Sequence, residues 1–126
     1  TAQQPVIRDV HAEHVLFEGT EVTGMIDFGA MRIDTVAVDI SRLLGSMADD
    51  HPSLWELGLG SYSLVAPLSP TQRDLVRIFD RATVALSGMN WLRWVLLEGR
   101  RFEDFSRVLA RLSVTNRRLK HLIQMQ

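Results

Sequence analysis

Ile7-Arg8-Asp9-Val10-His11-Ala12-Glu13-His14-Val15-Leu16-Phe17 and, one hairpin later, Gly24-Met25-Ile26-Asp27-Phe28-Gly29 decide how the rest of the chain is read. The first stretch sets an Asp in a short loop that leads into an apolar strand. The second ends another apolar strand on an Asp. Residues 14–18 and 22–27 are rich in β-branched and aromatic side chains, and Gly19-Thr20-Glu21 between them suits a hairpin loop. Pairing the two strands would bring Asp9, His14 and Asp27 together although they are distant in sequence. Carboxylates and an imidazole on adjoining loops suit cation binding and proton transfer.

Phosphoryl transfer asks for that set, because the protein mainly positions groups and neutralises charge. One carboxylate accepts the proton of the attacking hydroxyl while others hold a divalent cation against the nucleotide phosphates. Asp9 fits the first role, and Asp27 opens an Asp-Phe-Gly tripeptide that fits the second. With these residues the segment from Asp9 to Asp39 resembles the catalytic and metal loops of the aminoglycoside phosphotransferase and choline kinase family, a small-molecule branch of the protein-kinase-like fold. The family pattern runs roughly His-Gly-Asp-Leu-His-Pro-Gly-Asn-Val-Leu-Phe, then Val-Ile-Asp-Trp-Gly, then Tyr-Asp-Leu-Ala-Arg-Leu-Leu. Asp9 falls on its catalytic Asp, His11 on the loop His, Asp27 on the metal Asp, and Asp39 on the Asp opening the next helix, followed by Ile40-Ser41-Arg42-Leu43-Leu44. The chain departs from the pattern twice: Ile7 stands where a His precedes the catalytic Asp, and His14 where an Asn binds metal.

The resemblance implies an α+β, mostly helical fold, with a short N-terminal β-hairpin carrying both loops and a bundle of four or five helices behind it. It implies a single domain over residues 1–126, the C-terminal lobe of a kinase-like phosphotransferase. Residues 1–35 would carry the catalytic loop, hairpin and metal loop, and residues 36–126 the helical part. The implied activity is transfer of the γ-phosphate of ATP to a hydroxyl of a small molecule, with Asp9 catalytic, His14 and Asp27 on Mg²⁺ or Mn²⁺, and Asp39 as structural support. Glu13 and Asp34 are candidates for the substrate side, where acids could meet a cationic acceptor. A nucleotide cleft also needs a Gly-rich loop and a lysine on the phosphates. The sequence has no Gly-x-Gly-x-x-Gly, and its one lysine is Lys120, so an N-terminal lobe is expected to be missing and the isolated chain to show little catalysis. Exposed apolar surface on such a lobe would favour self-association.

Composition agrees with a packed globular chain: 126 residues, 46% hydrophobic, no cysteine and therefore no disulfide or thiolate site. No apolar run reaches membrane-spanning length and the first residues lack the basic-then-apolar layout of a signal peptide, so cytoplasm is the expected compartment and no membrane partner is expected. The net charge of −1 divides into about −7 through residue 60 and +6 beyond it. A nucleic-acid binder would carry a basic excess overall, so nucleic acid is not an expected partner.

Other segments carry signals of their own. Thr1 to Pro5 reads as a frayed lead-in, Val6-Ile7 as a short strand, and Arg32 to Asp34 as a connector. Asp39 would cap or brace a helix whose buried stripe is Ile40, Leu43, Leu44 and Met47. Ser53-Leu54-Trp55-Glu56 and Ser69-Pro70-Thr71-Gln72 both match the capping box that starts a helix. Gly58 and Gly60 weaken the first of these helices unless close packing requires them. Leu75, Ile78, Phe79, Ala82 and Leu86 would form the buried face of the second, with Gly88 as its stop. Met89 to Leu97 is apolar all round, as in a buried central helix, and Phe105 to Ile123 follows helical spacing.

Two other readings stand beside the phosphotransferase. His11 and His14, with Asp9, Glu13 or Asp27, have the ligand types of a zinc or manganese site, although they lack the helical His-Glu-x-x-His frame. The substitutions at Ile7 and His14 also suit a catalytically inactive, kinase-like binding or scaffolding module.

Overall fold

A computed structural model describes residues 2–99 and 105–124. The elements are β1 Gln4–Val6, a 3-10 turn Ala12–His14, β2 Val15–Glu18, β3 Glu21–Met25, β4 Arg32–Asp34, α1 Ala37–Ala48, α2 Pro52–Val65, α3 Pro70–Leu92, a π-helical turn Arg93–Leu97 and α4 Phe105–Gln124. The chain is thus mostly helical, with two small antiparallel sheets of two strands each. It forms two compact units, one up to Asp80 and one from Arg81 onward.

The expected hairpin is β2–β3, pairing Val15 with Met25 and Glu18 with Glu21. Its turn is the two-residue Gly19-Thr20, tighter than the loop read from the sequence. Gly19 sits at φ 61°, the left-handed conformation that the first position of such a turn requires and glycine adopts without penalty. A register shift between Leu16 and Phe17 bulges the ladder. His14, expected to open the strand, instead closes the 3-10 turn before it.

The second sheet corrects two expectations. Gln4 and Pro5 are not a frayed lead-in, and Arg32 to Asp34 is not a connector: β1 pairs antiparallel with β4, Gln4 opposite Asp34 and Val6 opposite Arg32. Val6 is 1% exposed, so the clasp is anchored in the interior. Strands of three residues carry too little alternation to announce themselves.

The core of the first unit gathers Val36, Ala37 and Ile40 from the start of α1, Leu59 from α2 and Val76 from α3, with Leu44, Trp55, Tyr62, Leu68, Leu75 and Phe79 packed around them. Met47, expected in the α1 stripe, is exposed. Trp55 Nε1 donates to the Asp49 carbonyl at 2.7 Å and ties α2 to the end of α1. The predicted cap at Ser53 does not form: α2 begins at Pro52, two residues before the Leu54 that such a cap would make its first residue, and Pro52 needs no amide hydrogen at that position. Glu56 pairs with Arg77 instead, at 3.2 Å. The second box is present as read, Ser69 Oγ accepting from the Gln72 amide at 3.1 Å and Gln72 Oε1 from the Ser69 amide at 2.9 Å.

The two glycines of α2 separate cleanly. A Cβ on Gly58 would run into the Leu44 side chain, so α1 and α2 approach through it, whereas a Cβ on Gly60 would meet nothing within 4 Å. Gly60→Ala is therefore expected to stabilise the fold by about 0.5–1 kcal/mol. Gly58→Ala should forfeit that gain in a thermal melt, because Leu44 must first move.

In α3 the predicted face holds at Leu75 and Phe79, which pack on the core, and fails further along. Val76 and Val84 are buried, while Ile78 and Leu86 are exposed by more than half. Gly88 does not stop the helix. α3 runs on to Leu92, and a Cβ at Gly88 would strike the side chain of Leu119 in α4. Met89 to Leu97 is no separate central helix either: it finishes α3 and forms the π turn, with Met89, Leu92, Leu96 and Leu97 exposed. Trp91 and Trp94 pack on each other edge to face, ring centroids 5.3 Å apart.

Candidate functional site

The loop from Ile7 to His14 is held chiefly by one face of α1. Asp39 accepts two backbone amides, from Ile7 at 2.8 Å and from Arg8 at 2.7 Å, one on each carboxylate oxygen. Arg42 Nη2 donates to Asp9 Oδ1 at 2.9 Å. Ser46 Oγ accepts the Ala12 amide at 2.8 Å and donates to the Leu43 carbonyl. Positions 39, 42 and 46 follow helical spacing, so a single stripe fixes the loop before, at and after Asp9. Val10, within the loop, is 2% exposed, so the loop is also anchored by burial.

Asp39 therefore braces the loop rather than capping its own helix. At the helix start, Thr35 Oγ1 lies 3.4 Å from the Ala37 amide, and Asp34 Oδ1 accepts the Thr35 amide at 2.8 Å. The two amides on Asp39 offset a backbone cost, because Arg8 lies at φ 66°, where a residue with a side chain is disfavoured by about 1–2 kcal/mol.

His14 joins the two loops. Its Nδ1 donates to the Asp9 carbonyl at 2.7 Å, its own carbonyl accepts the Ile26 amide at 3.0 Å, and its Nε2 lies 3.5 Å from Asp27 Oδ2. Asp27 follows β3 at φ 67°, a left-handed kink that turns the chain after the strand. The His14 side chain is 16% exposed and that of Asp27 54%, so the pair opens to solvent on the Asp27 side. His11 stacks against His14, ring centroids 3.8 Å apart. Burial, and then the neighbouring His14, lower the His11 pKa from its ordinary 6.5, which favours the neutral ring. Asp9, His11 and His14 each offer a ligand atom within 4.8 Å of the others.

The structure thus gathers Asp9, His11 and His14 into one cluster, sets Asp27 against His14 alone, and bonds Asp39 to the backbone of the same loop. Glu13 is exposed in the 3-10 turn. Asp34 is engaged at the foot of α1, with Arg32 at 3.9 Å. Arg42 and Ser46 were missed by sequence reasoning. Their spacing from Asp39 was the available signal, masked because an Arg on a helix usually signifies a solvated face.

The sequence pattern of the phosphotransferase enzyme family (APH) matches residues 2–74, which contain the whole loop cluster, α1 and α2. A chain matched over more than half its length, with an acid-bearing loop braced from the following helix, is of the phosphotransfer class. It belongs to the phosphotransferase enzyme family. No curated protein and no solved structure matches it. Among the described residues, no helix is long and apolar enough to cross a membrane.

Proposed function

We propose that this chain is the C-terminal, catalytic lobe of an ATP-dependent phosphotransferase acting on a hydroxyl of a small molecule. The observation that carries the reading is His14, whose ring reaches the Asp9 carbonyl on one side and the Asp27 carboxylate on the other while its own carbonyl ties the two loops through the Ile26 amide. The Asp9 carboxylate takes the proton of the acceptor hydroxyl as its oxygen bonds to the γ-phosphorus and the bond to the β-phosphate bridge breaks, leaving ADP. Arg42 fixes the direction of that carboxylate, and Asp39 fixes the backbone that carries it. The Asp27 carboxylate and the His14 Nε2 have the donor chemistry to hold Mg²⁺ or Mn²⁺, which would neutralise phosphate charge when bound. The kinase-like fold, with a further lobe closing on the nucleotide, is part of the same proposal. Glu13, exposed in the 3-10 turn, and Asp34 are the acids offered to a cationic acceptor, and cytoplasm is the compartment such chemistry suits.

The test is γ-phosphate transfer from Mg-ATP by the complete protein to a panel of amino sugars, amino alcohols and simple sugars. Transfer is expected to at least one acceptor, and Asp27→Ala is expected to abolish binding of the metal–nucleotide complex. Full activity in that variant would remove Asp27 from the site.

A second reading has one observation behind it. The His14–Asp27 pair can close as an imidazolium–carboxylate ion pair with no cation present, as suits an inactive binding module. That reading requires no phosphate transfer to any acceptor and a partner whose affinity survives Asp9→Asn.

A further inference from the structure

Phosphate transfer uses the acid-bearing loops of the first unit and leaves the basic second unit without a role. From Arg81 onward the sequence holds nine arginines and lysines against three acids. α4 alone carries Arg107, Arg111, Arg117, Arg118 and Lys120, with no acid between Phe105 and Gln124.

Two hollows adjoin in this unit. The first is a cleft of about 590 Å³ between α4 and the end of α3 with its π turn, and small-molecule sites occupy about 300–1,000 Å³. Its walls are chiefly aliphatic, with Leu92 and Leu96 on one side and Leu109, Leu112 and Leu119 on the other. The lining residues of α4 run from Leu109 to Leu119, about 15 Å of helix, so the cleft is a slot that suits an extended tail better than a compact ring. Leu92, Leu96 and Leu109 are 60%, 71% and 50% exposed, and a tail laid over them takes apolar surface out of water.

The second hollow, about 410 Å³, continues along α4 and is lined by Arg117, Lys120 and His121. Ser113 and Asn116 line both hollows, so the slot opens into the basic recess at these residues. A head group there meets the Asn116 amide and then positive charge. The carbonyl end of α4 works against an anion, but with about half a unit charge against the full charge of Lys120 alone. Apolar burial draws the tail in, and the charge selects an anionic head.

We propose that the slot between α3 and α4 binds a single-chain aliphatic carboxylate, with its tail along Leu92, Leu96, Leu109 and Leu112 and its head at Asn116 and Lys120. The site lies wholly within the second unit and goes beyond phosphate transfer.

Dodecanoate, kept below its micelle-forming concentration and titrated into the complete protein, tests it by tryptophan fluorescence, because Trp91 lines the slot and packs on Trp94. A change that saturates at one equivalent is expected, and none with acetate, which is the head without the tail. Dodecyltrimethylammonium, with the same tail and the opposite charge, should bind at least about fivefold more weakly. Lys120→Glu should weaken dodecanoate by at least about fivefold and tighten the ammonium. Leu96→Glu, at an exposed wall position, should weaken dodecanoate with the circular dichroism unchanged. Arg81→Glu makes the same charge change as Lys120→Glu outside both hollows and should leave binding as it was. No saturable change with dodecanoate overturns the proposal, as does equal binding of the two amphiphiles, or an affinity that survives both Lys120→Glu and Leu96→Glu or falls as far with Arg81→Glu. A dimer in sedimentation that Leu96→Glu dissociates and dodecanoate does not would give the slot to a second copy of the chain and overturn it. Binding to anionic phospholipid vesicles without binding to free dodecanoate would overturn it as well.

Discussion

Asp9→Asn is expected to lower kcat for phosphate transfer by roughly 10²–10⁴-fold, the usual contribution of a positioned general base. The substitution is close to isosteric, and an amide oxygen can still accept from Arg42 Nη2, which donates to Asp9 Oδ1 at 2.9 Å. The His14 tether runs to the Asp9 backbone carbonyl rather than to its side chain, so the loop keeps that bond as well. What disappears is a group able to take a proton. The melting temperature should therefore stay near that of the unaltered protein while turnover falls. Turnover within tenfold of the original would mean that Asp9 is not the base.

Asp39→Ala is expected to have the largest effect on stability. The carboxylate holds the Ile7 and Arg8 amides at 2.8 and 2.7 Å, and hydrogen bonds to a charged acceptor are worth about 1.5–3 kcal/mol each. Water can replace part of this, since the site is only half-buried, so the net loss should be about 2–4 kcal/mol. For a domain of this size that is a fall in Tm on the order of 10 °C. Activity should fall too, because Arg8 is left at a positive φ with its amide released. A shift of under about 2 °C by scanning calorimetry would mean that α1 does not brace the loop.

Much of the site was legible because it rests on spacing. Two apolar strands and a glycine turn are enough to bring the loop of Asp9 and His14 against that of Asp27, and the reciprocal Ser69–Gln72 cap matches its sequence pattern residue for residue. Other elements were hidden for physical reasons. β1 and β4 are too short to show alternation, and their pairing joins residues far apart in sequence. Ser53 looked like a cap, but Pro52 suits the first helical position better and draws the helix start back by two residues. Gly88 looked like a stop, yet its missing side chain serves a close approach by Leu119. The apolar run from Met89 to Leu97 suggested burial, and hydrophobicity alone does not say which residues are covered. Arg42 escaped notice because its partner, Asp9, lies 33 residues away.

The pairing of Gln4–Val6 with Arg32–Asp34 turns everything between them into a closed excursion whose two ends are fastened side by side. Closing a chain segment costs entropy that grows only with the logarithm of its length, so doubling the excursion would add about 0.6 kcal/mol. The Gly19-Thr20 tip faces solvent and lies at the far end of the hairpin from His14 and Asp27. Residues inserted there would lengthen the excursion while leaving its fastened ends and its two acid-bearing loops in register, which makes the tip the natural place to attach a probe or an affinity tag.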